Sequence, residues 1–211
     1  MSKIRAAVTA VEGYVPDYIL TNDELSRMVD TNDEWIMTRI GIKERRILKG
    51  EKGPSDMAEI VVKRILEKKN LSPDFIELVI CCTVTPDMVF PATANIIAHK
   101  CGIKNGFGFD VNAGCSGFLY GLTTASKYIE SGFVKRALVI GAEKMSAIVN
   151  YEDRATCPIF GDGAAGVLLE ATEEPYGLMD EILCSDGEGV KHLHQVAGGS
   201  VKPATHETVD A

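Results

Sequence analysis

A cysteine set among small residues is the chemical focus of this sequence: Asn112-Ala113-Gly114-Cys115-Ser116-Gly117-Phe118, preceded by the apolar stretch Phe107–Val111. A strand that runs into such a turn and then directly into an amphipathic helix puts the sulfur at a helix N-terminus. Unpaired backbone N–H groups and the helix dipole favour an anion there, and with it the thiolate form of a cysteine. Gly and Ala on both sides leave room for an electrophile, and the local N–H groups could hold an oxyanion. These features predict a nucleophile suited to acyl transfer. Inert buried filler, the commonest fate of a cysteine, would not require small residues on both flanks.

The elements that must carry Cys115 follow from the patterns around it. Residues 78–84 read as a nearly all-apolar strand, 91–100 as a helix stopped by Gly102, and 107–111 as a strand. Residues 115–131 read as a helix stopped by Gly132, and 137–141 as a further apolar strand. This β-α-β-α-β order with continuous apolar strands predicts an α/β protein, its sheet largely parallel and covered by helices on both faces. Upstream, residues 6–11 form a first strand. Two capping boxes, Thr21-Asn22-Asp23-Glu24 and Thr31-Asn32-Asp33-Glu34, open short helices, and Ser55 is the expected N-cap of a helix whose buried stripe is Ala58, Val61, Val62, Ile65 and Leu66. Residues 166–170 and 178–184 read as two later strands, with antiparallel pairing between them left open. After Gly187 the composition turns to Gly, His, Ser and Thr, too poor in apolar residues to offset much ordering entropy, so both an ordered and a disordered tail fit it.

Composition narrows the function classes. The 211 residues are 45% apolar and 25% charged, with 22 Lys and Arg against 30 Asp and Glu, a formal net charge of −8. An acidic chain without a basic stripe argues against nucleic acid or an anionic membrane as the main partner. No apolar run approaches the roughly 20 residues of a membrane span, and the first residues lack the apolar core of a signal peptide. Cys81, Cys82, Cys101, Cys115, Cys157 and Cys184 show no C-x-x-C pair and no Cys/His cluster. A disulfide framework or a zinc site is therefore not expected, and a reducing cytoplasm is. Gly161-Asp162-Gly163-Ala164 lacks the Gly-Lys-Ser/Thr ending of a phosphate loop and reads as a tight turn into a strand. Lys43-Glu44-Arg45-Arg46 reads as a solvated charged strand, with a basic lip for phosphate or an acidic carrier protein as the alternative.

Three segments in this order and spacing resemble the β-ketoacyl-acyl carrier protein synthase III family: the run from Asp33 through Trp35 and Arg39 to Arg45, the Cys115 segment, and Asp153-Arg154 followed by Ile159-Phe160-Gly161-Asp162-Gly163-Ala164. The resemblance covers nearly the whole chain. It implies a thiolase-like fold of two similar α/β halves, of which residues 1–172 match the N-terminal half with the nucleophile and 173–211 the start of the C-terminal half. The family's catalytic His and Asn match no position here, and none of His99, His192, His194 and His206 lies in a corresponding motif; the expectation is a chain that is part of a longer protein.

The implied activity is a decarboxylative condensation that initiates fatty acid synthesis. Cys115 takes an acyl group from a short acyl-CoA, and malonyl-acyl carrier protein then supplies the carbanion that attacks the Cys115 thioester. By the same resemblance Thr31, Trp35, Arg39 and Arg154 bind coenzyme A, with Trp35 and Arg154 on either side of the adenine. Phe90, Met145 and Phe160 line the acyl pocket, Phe90 from across a homodimer interface. No metal or redox cofactor is implied, acyl-CoA being a substrate. For Trp35 the plain alternative is a core anchor, for the arginines surface ion pairs, and for the pocket residues ordinary packing. Two competing functions stay open: a secondary-metabolism relative that transfers an acyl group without decarboxylation, and a non-catalytic module that dimerises.

Overall fold

Five strands make the frame that positions Cys115 in the computed structural model, which describes residues 4–209. In chain order the elements are β1 (Arg5–Tyr14), β2 (Tyr18–Thr21), α1 (Asn22–Leu25), α2 (Asp33–Arg39), β3 (Glu44–Ile47), α3 (Pro54–Lys69), β4 (Leu78–Cys82), α4 (Thr93–Lys100), β5 (Phe107–Val111), α5 (Gly117–Glu130), β6 (Arg136–Lys144) and β7 (Asp162–Thr172). The main sheet has the order β1-β7-β6-β4-β5. β4 runs parallel to both β5 and β6, whereas β7 is antiparallel to both β6 and β1. β2 and β3 form a separate antiparallel pair.

β4 is buried along its whole length, as its unbroken apolar sequence requires of a strand covered on both faces. The period of two divides it. Val79 and Cys81 join Leu138, Ile140 and Leu168 beneath α3 and α4, while Leu78, Ile80 and Cys82 join Val139, Val167 and Leu169 beneath α5. Each fully buried Ile or Leu in these layers contributes about 1.5–3 kcal/mol relative to exposure. A smaller cluster of Leu20, Leu25, Ile36, Ile47 and Cys157, with Trp35 and Tyr151 against it, ties β2 and β3 to α2.

Several expectations are corrected. The helix after β5 begins at Gly117, not at Cys115: Gly114 takes a left-handed φ of 54°, and residues Gly114–Ser116 form a 3-10 turn first. The N-cap of α2 is Asn32, whose side chain accepts from the Trp35 N–H, and not Thr31. α3 starts at Pro54 behind Gly53, with Ser55 inside its first turn, because proline suits the first helical position and Ser55 is engaged elsewhere. β4 stops at Cys82: the Thr83 N–H still reaches the Val111 carbonyl of β5 at 3.2 Å, but the N–H groups of Val84 and Thr85 go to a carboxylate instead of a strand. No strand forms over 178–184: after Gly177, at φ 136°, only the Leu178 N–H reaches Ala6 of β1, and Met179 and Ile182 are exposed.

β7 ends at Thr172, and the first compact unit continues to Glu181. Residues from Ile182 onward cluster as a second unit, with a 3-10 turn at Glu188–Lys191 and a four-residue helix at His206–Val209. No helix among the described residues is long and apolar enough to cross a membrane.

Candidate active site

Cys115 is exposed on the 3-10 turn that joins β5 to α5. Its position depends on how closely α5 lies on the sheet. At Gly121 a Cβ would come within 2.5 Å of the Cys82 Sγ and 3.1 Å of Val139 Cγ1, so only glycine admits this approach. The other cysteines of the sheet are differently placed. Burial pushes the Cys82 thiol up to about 12 and raises Cys81 strongly as well, which keeps both as neutral filler. On β5, the Asp110 carboxylate accepts from the Thr93 and Ala94 N–H groups at 2.7 and 2.8 Å and caps α4, whose own N-cap, Ala92, has no side-chain acceptor.

Between β4 and α4 the chain is held by two more carboxylates. Glu143 of β6 accepts from the Val84 N–H at 2.8 Å, the Thr85 N–H at 3.1 Å and the Thr85 hydroxyl at 2.5 Å. Asp87 accepts from the Ser55 N–H at 2.9 Å and the Ser55 hydroxyl at 2.6 Å, serving as the cap that Gly53 cannot provide. The rigid stem presents an apolar tip: Val89 and Phe90 are 91% and 82% exposed. Phe90 therefore lines no pocket formed by these residues alone. Met145 lies partly buried on a 3-10 turn after β6, where Asp162 accepts from the Ser146 N–H and hydroxyl and also from the Leu48 N–H. Asp162 thus opens β7 and anchors the Met145 turn. Phe160, two residues earlier, is half-buried.

Trp35 and Arg154 come together. The Arg154 guanidinium lies over the indole at 4.7 Å from the ring centroid, and one of its nitrogens meets Asp30 at 3.3 Å. Thr31 is nearby in sequence, with its hydroxyl oxygen buried and without a hydrogen-bond partner. Arg39, in the last turn of α2, is exposed. No hydrogen bond, ion pair or ring contact among the described residues joins Cys115 to Trp35, Arg154, Phe90, Met145 or Phe160.

Sequence reasoning missed the residues that hold this arrangement. Within the charged run at 43–46 it expected a solvated strand; β3 is a strand, but Arg45 is 4% exposed and donates to Pro158, Leu20 and Asn22. Burial pulls the Arg45 guanidinium below its ordinary value. Asn22, read only as part of a cap, is buried as well. Asp87, Asp110 and Glu143 carried no local signal, because the partners of their carboxylates lie 16 to 60 residues away.

Comparison with known proteins finds similar sequences and folds. The sequence model of the family "3-Oxoacyl-[acyl-carrier-protein (ACP)] synthase III" matches residues 109–187. A β-ketoacyl-[acyl-carrier-protein] synthase III of Phocaeicola vulgatus is 58% identical over 211 residues, and one of Chlorobaculum tepidum is 52% identical over 210. The alignments take in 100% and 98% of this chain but 63% and 64% of those proteins, so the chain spans less than two thirds of their length. The crystal structure of the synthase III from Thermus thermophilus superposes with a TM-score of 0.85 at 37% identity, covering 89% of this chain and 58% of that one. That from Aquifex aeolicus gives 0.77 at 46% identity, covering 80% and 55%. By sequence and by its thiolase-like fold, the chain is similar, over nearly its whole length, to β-ketoacyl-[acyl-carrier-protein] synthase III proteins.

Proposed function

We propose that the whole protein condenses a short acyl-CoA with malonyl-acyl carrier protein, losing CO₂, and so initiates fatty acid synthesis in the cytoplasm. In this reading the Cys115 thiolate attacks the acyl-CoA thioester carbonyl, coenzyme A leaves as its thiolate and takes a proton from water, and the acyl group stays on Cys115 until the malonyl-derived carbanion takes it. The Cys115 N–H contributes one donor for the oxyanion. Trp35 and Arg154 hold the adenine, Arg39 meets phosphate, and the orphaned Thr31 hydroxyl finds its partner on the bound coenzyme. Met145 and Phe160 line the acyl pocket. Phe90 enters that pocket in a homodimer, a role supported by its exposure and by the one-sided pairing of the edge strand β5.

The observation that carries the reading is the placement of Cys115: exposed on a left-handed glycine turn at the mouth of α5, while Cys81, Cys82, Cys101 and Cys157 are buried. Intact-mass spectrometry after incubation with acetyl-CoA tests it. The wild-type protein should gain one acetyl group, mapped by peptide digestion to Cys115, and Cys115→Ala should gain none. Acetyl uptake that survives Cys115→Ala would sink the mechanism. Failure to release labelled CO₂ from malonyl-acyl carrier protein would instead move the assignment to acyl transfer without decarboxylation.

A further inference from the structure

Arg45 belongs to a run of four charged residues, yet its side chain turns inward. Its strand neighbour Arg46 pairs with Glu44 at the surface, as alternation along β3 allows. Arg45 sits opposite Leu20 of β2 and is removed from water without any carboxylate against it. A buried guanidinium is tolerated only when its fixed donors meet acceptors. Here Nε donates to the Pro158 carbonyl at 3.1 Å, one terminal nitrogen to the Leu20 carbonyl at 3.4 Å, and the other to Asn22 Oδ1 at 2.8 Å. The Asn22 amide passes the linkage on, donating to Asp33 Oδ1 at 2.7 Å and to the Ile42 carbonyl at 3.0 Å.

The ends of this chain of bonds matter. Asp33 is the first residue of α2, two before Trp35, and Pro158 lies between Arg154 and Phe160. The loop that ends at Gly161 also lies flush on β3: a Cβ there would be 3.0 Å from Arg45 Cβ and 3.2 Å from the Arg46 carbonyl. We propose that Arg45 is the positioning residue that holds the two walls of the coenzyme A groove in register, α2 with Trp35 on one side and the Arg154–Phe160 loop on the other. This rests on the acyl-CoA reading given above. For stability alone an apolar residue could fill the same space. What the planar fork adds is a fixed distance between Asn22 and Pro158, the latter 113 residues from Arg45 in sequence, which a single ammonium group cannot reproduce.

The test combines Arg45→Lys with Asp33→Ala, the second on an exposed residue that removes the far acceptor and leaves the Arg45 side chain in place. Three quantities are read: the KM for acetyl-CoA in acylation of Cys115, the kcat of that step, and the denaturant midpoint. Arg45→Lys should raise KM about tenfold with kcat at saturation within about twofold of wild type. Asp33→Ala should raise KM about threefold and, by leaving the buried Asn22 amide with one acceptor fewer, lower the midpoint modestly; if Arg45→Lys does not fold, the KM of this variant decides alone. A role confined to stability would lower the midpoint and leave KM of the folded protein where it was, and that result overturns the proposal. Wild-type protein that takes up no acyl group would bring down the acyl-CoA reading and this inference together, whereas normal wild-type acylation with unmoved KM in the variants brings down the inference alone.

Discussion

The guanidinium of Arg154 is stacked directly on the indole of Trp35, 4.7 Å from its centroid. These are the two side chains proposed to flank an adenine, so a bound nucleotide has to part them. Magnitudes favour that exchange. An exposed cation–π contact is worth about 0.5–1 kcal/mol, and the Arg154–Asp30 contact at the surface adds little. A base stacked on an aromatic ring is worth about 1–3 kcal/mol.

Arg154→Ala should therefore weaken coenzyme A binding about tenfold, the loss of one face of the stack outweighing the freed indole. Trp35 is the single tryptophan of the 211 residues, so its fluorescence reports the titration directly. Arg154→Lys should not restore affinity, because an ammonium does not stack. Equal affinities for wild type and Arg154→Ala would remove Arg154 from the site.

Gly121 sets how closely α5 packs on β4. Gly121→Ala forces a Cβ to 2.5 Å from the Cys82 Sγ, and overpacking of this kind costs about 1–3 kcal/mol. Chemical denaturation should show the lower midpoint, and Cys82→Ala in the same chain should recover part of it by clearing the sulfur. Val139 Cγ1, at 3.1 Å, keeps the recovery incomplete. A Gly121→Ala variant as stable as wild type would contradict the close approach.

Glu170 gives the fold an acid-side dependence. Burial alone would raise its carboxyl, but hydrogen bonds from Thr9, Lys69 and Arg136 outweigh that and hold it at about 2, below the ordinary 4.5. A folded value below the unfolded one means the stabilisation is complete above 4.5 and is lost as pH falls through about 2. Glu170→Gln should lower stability near neutral pH by about 1–2 kcal/mol, after allowance for solvent screening. The gap between wild type and variant should close as the pH drops through that window. A gap that stays constant with pH would show that the charge of Glu170 is not what stabilises.

Local sequence carried much of the site. The strand–small turn–helix pattern around Cys115 was legible because Gly114 and Gly117 mark a tight turn by their type alone. Continuous apolar runs identified β4 and β6, since a strand covered on both faces has no polar side to show. The Trp35–Arg154 pair was expected from a resemblance in two segments, and the chain brings them into contact.

What tertiary structure decided are choices between locally equal options and bonds between distant segments. Thr31 and Asn32 are both competent caps; Asn32 has the cap, and the Thr31 hydroxyl is left buried and unbonded. Arg45 and Arg46 look alike in a charged run, but pairing with β2 turns only Arg45 inward. Residues 178–184 have the composition of a strand but no ladder of bonds to complete, and strand formation needs a partner that sequence pattern cannot supply. Asp87, Asp110 and Glu143 each cap or clamp a segment far along the chain. The sequence by itself determined the turn that carries Cys115 and the elements on either side of it, because turn geometry and burial period are local properties. Which polar groups hold the surroundings of Cys115 in place was decided only in the folded chain, where buried donors must find acceptors wherever the packing has put them.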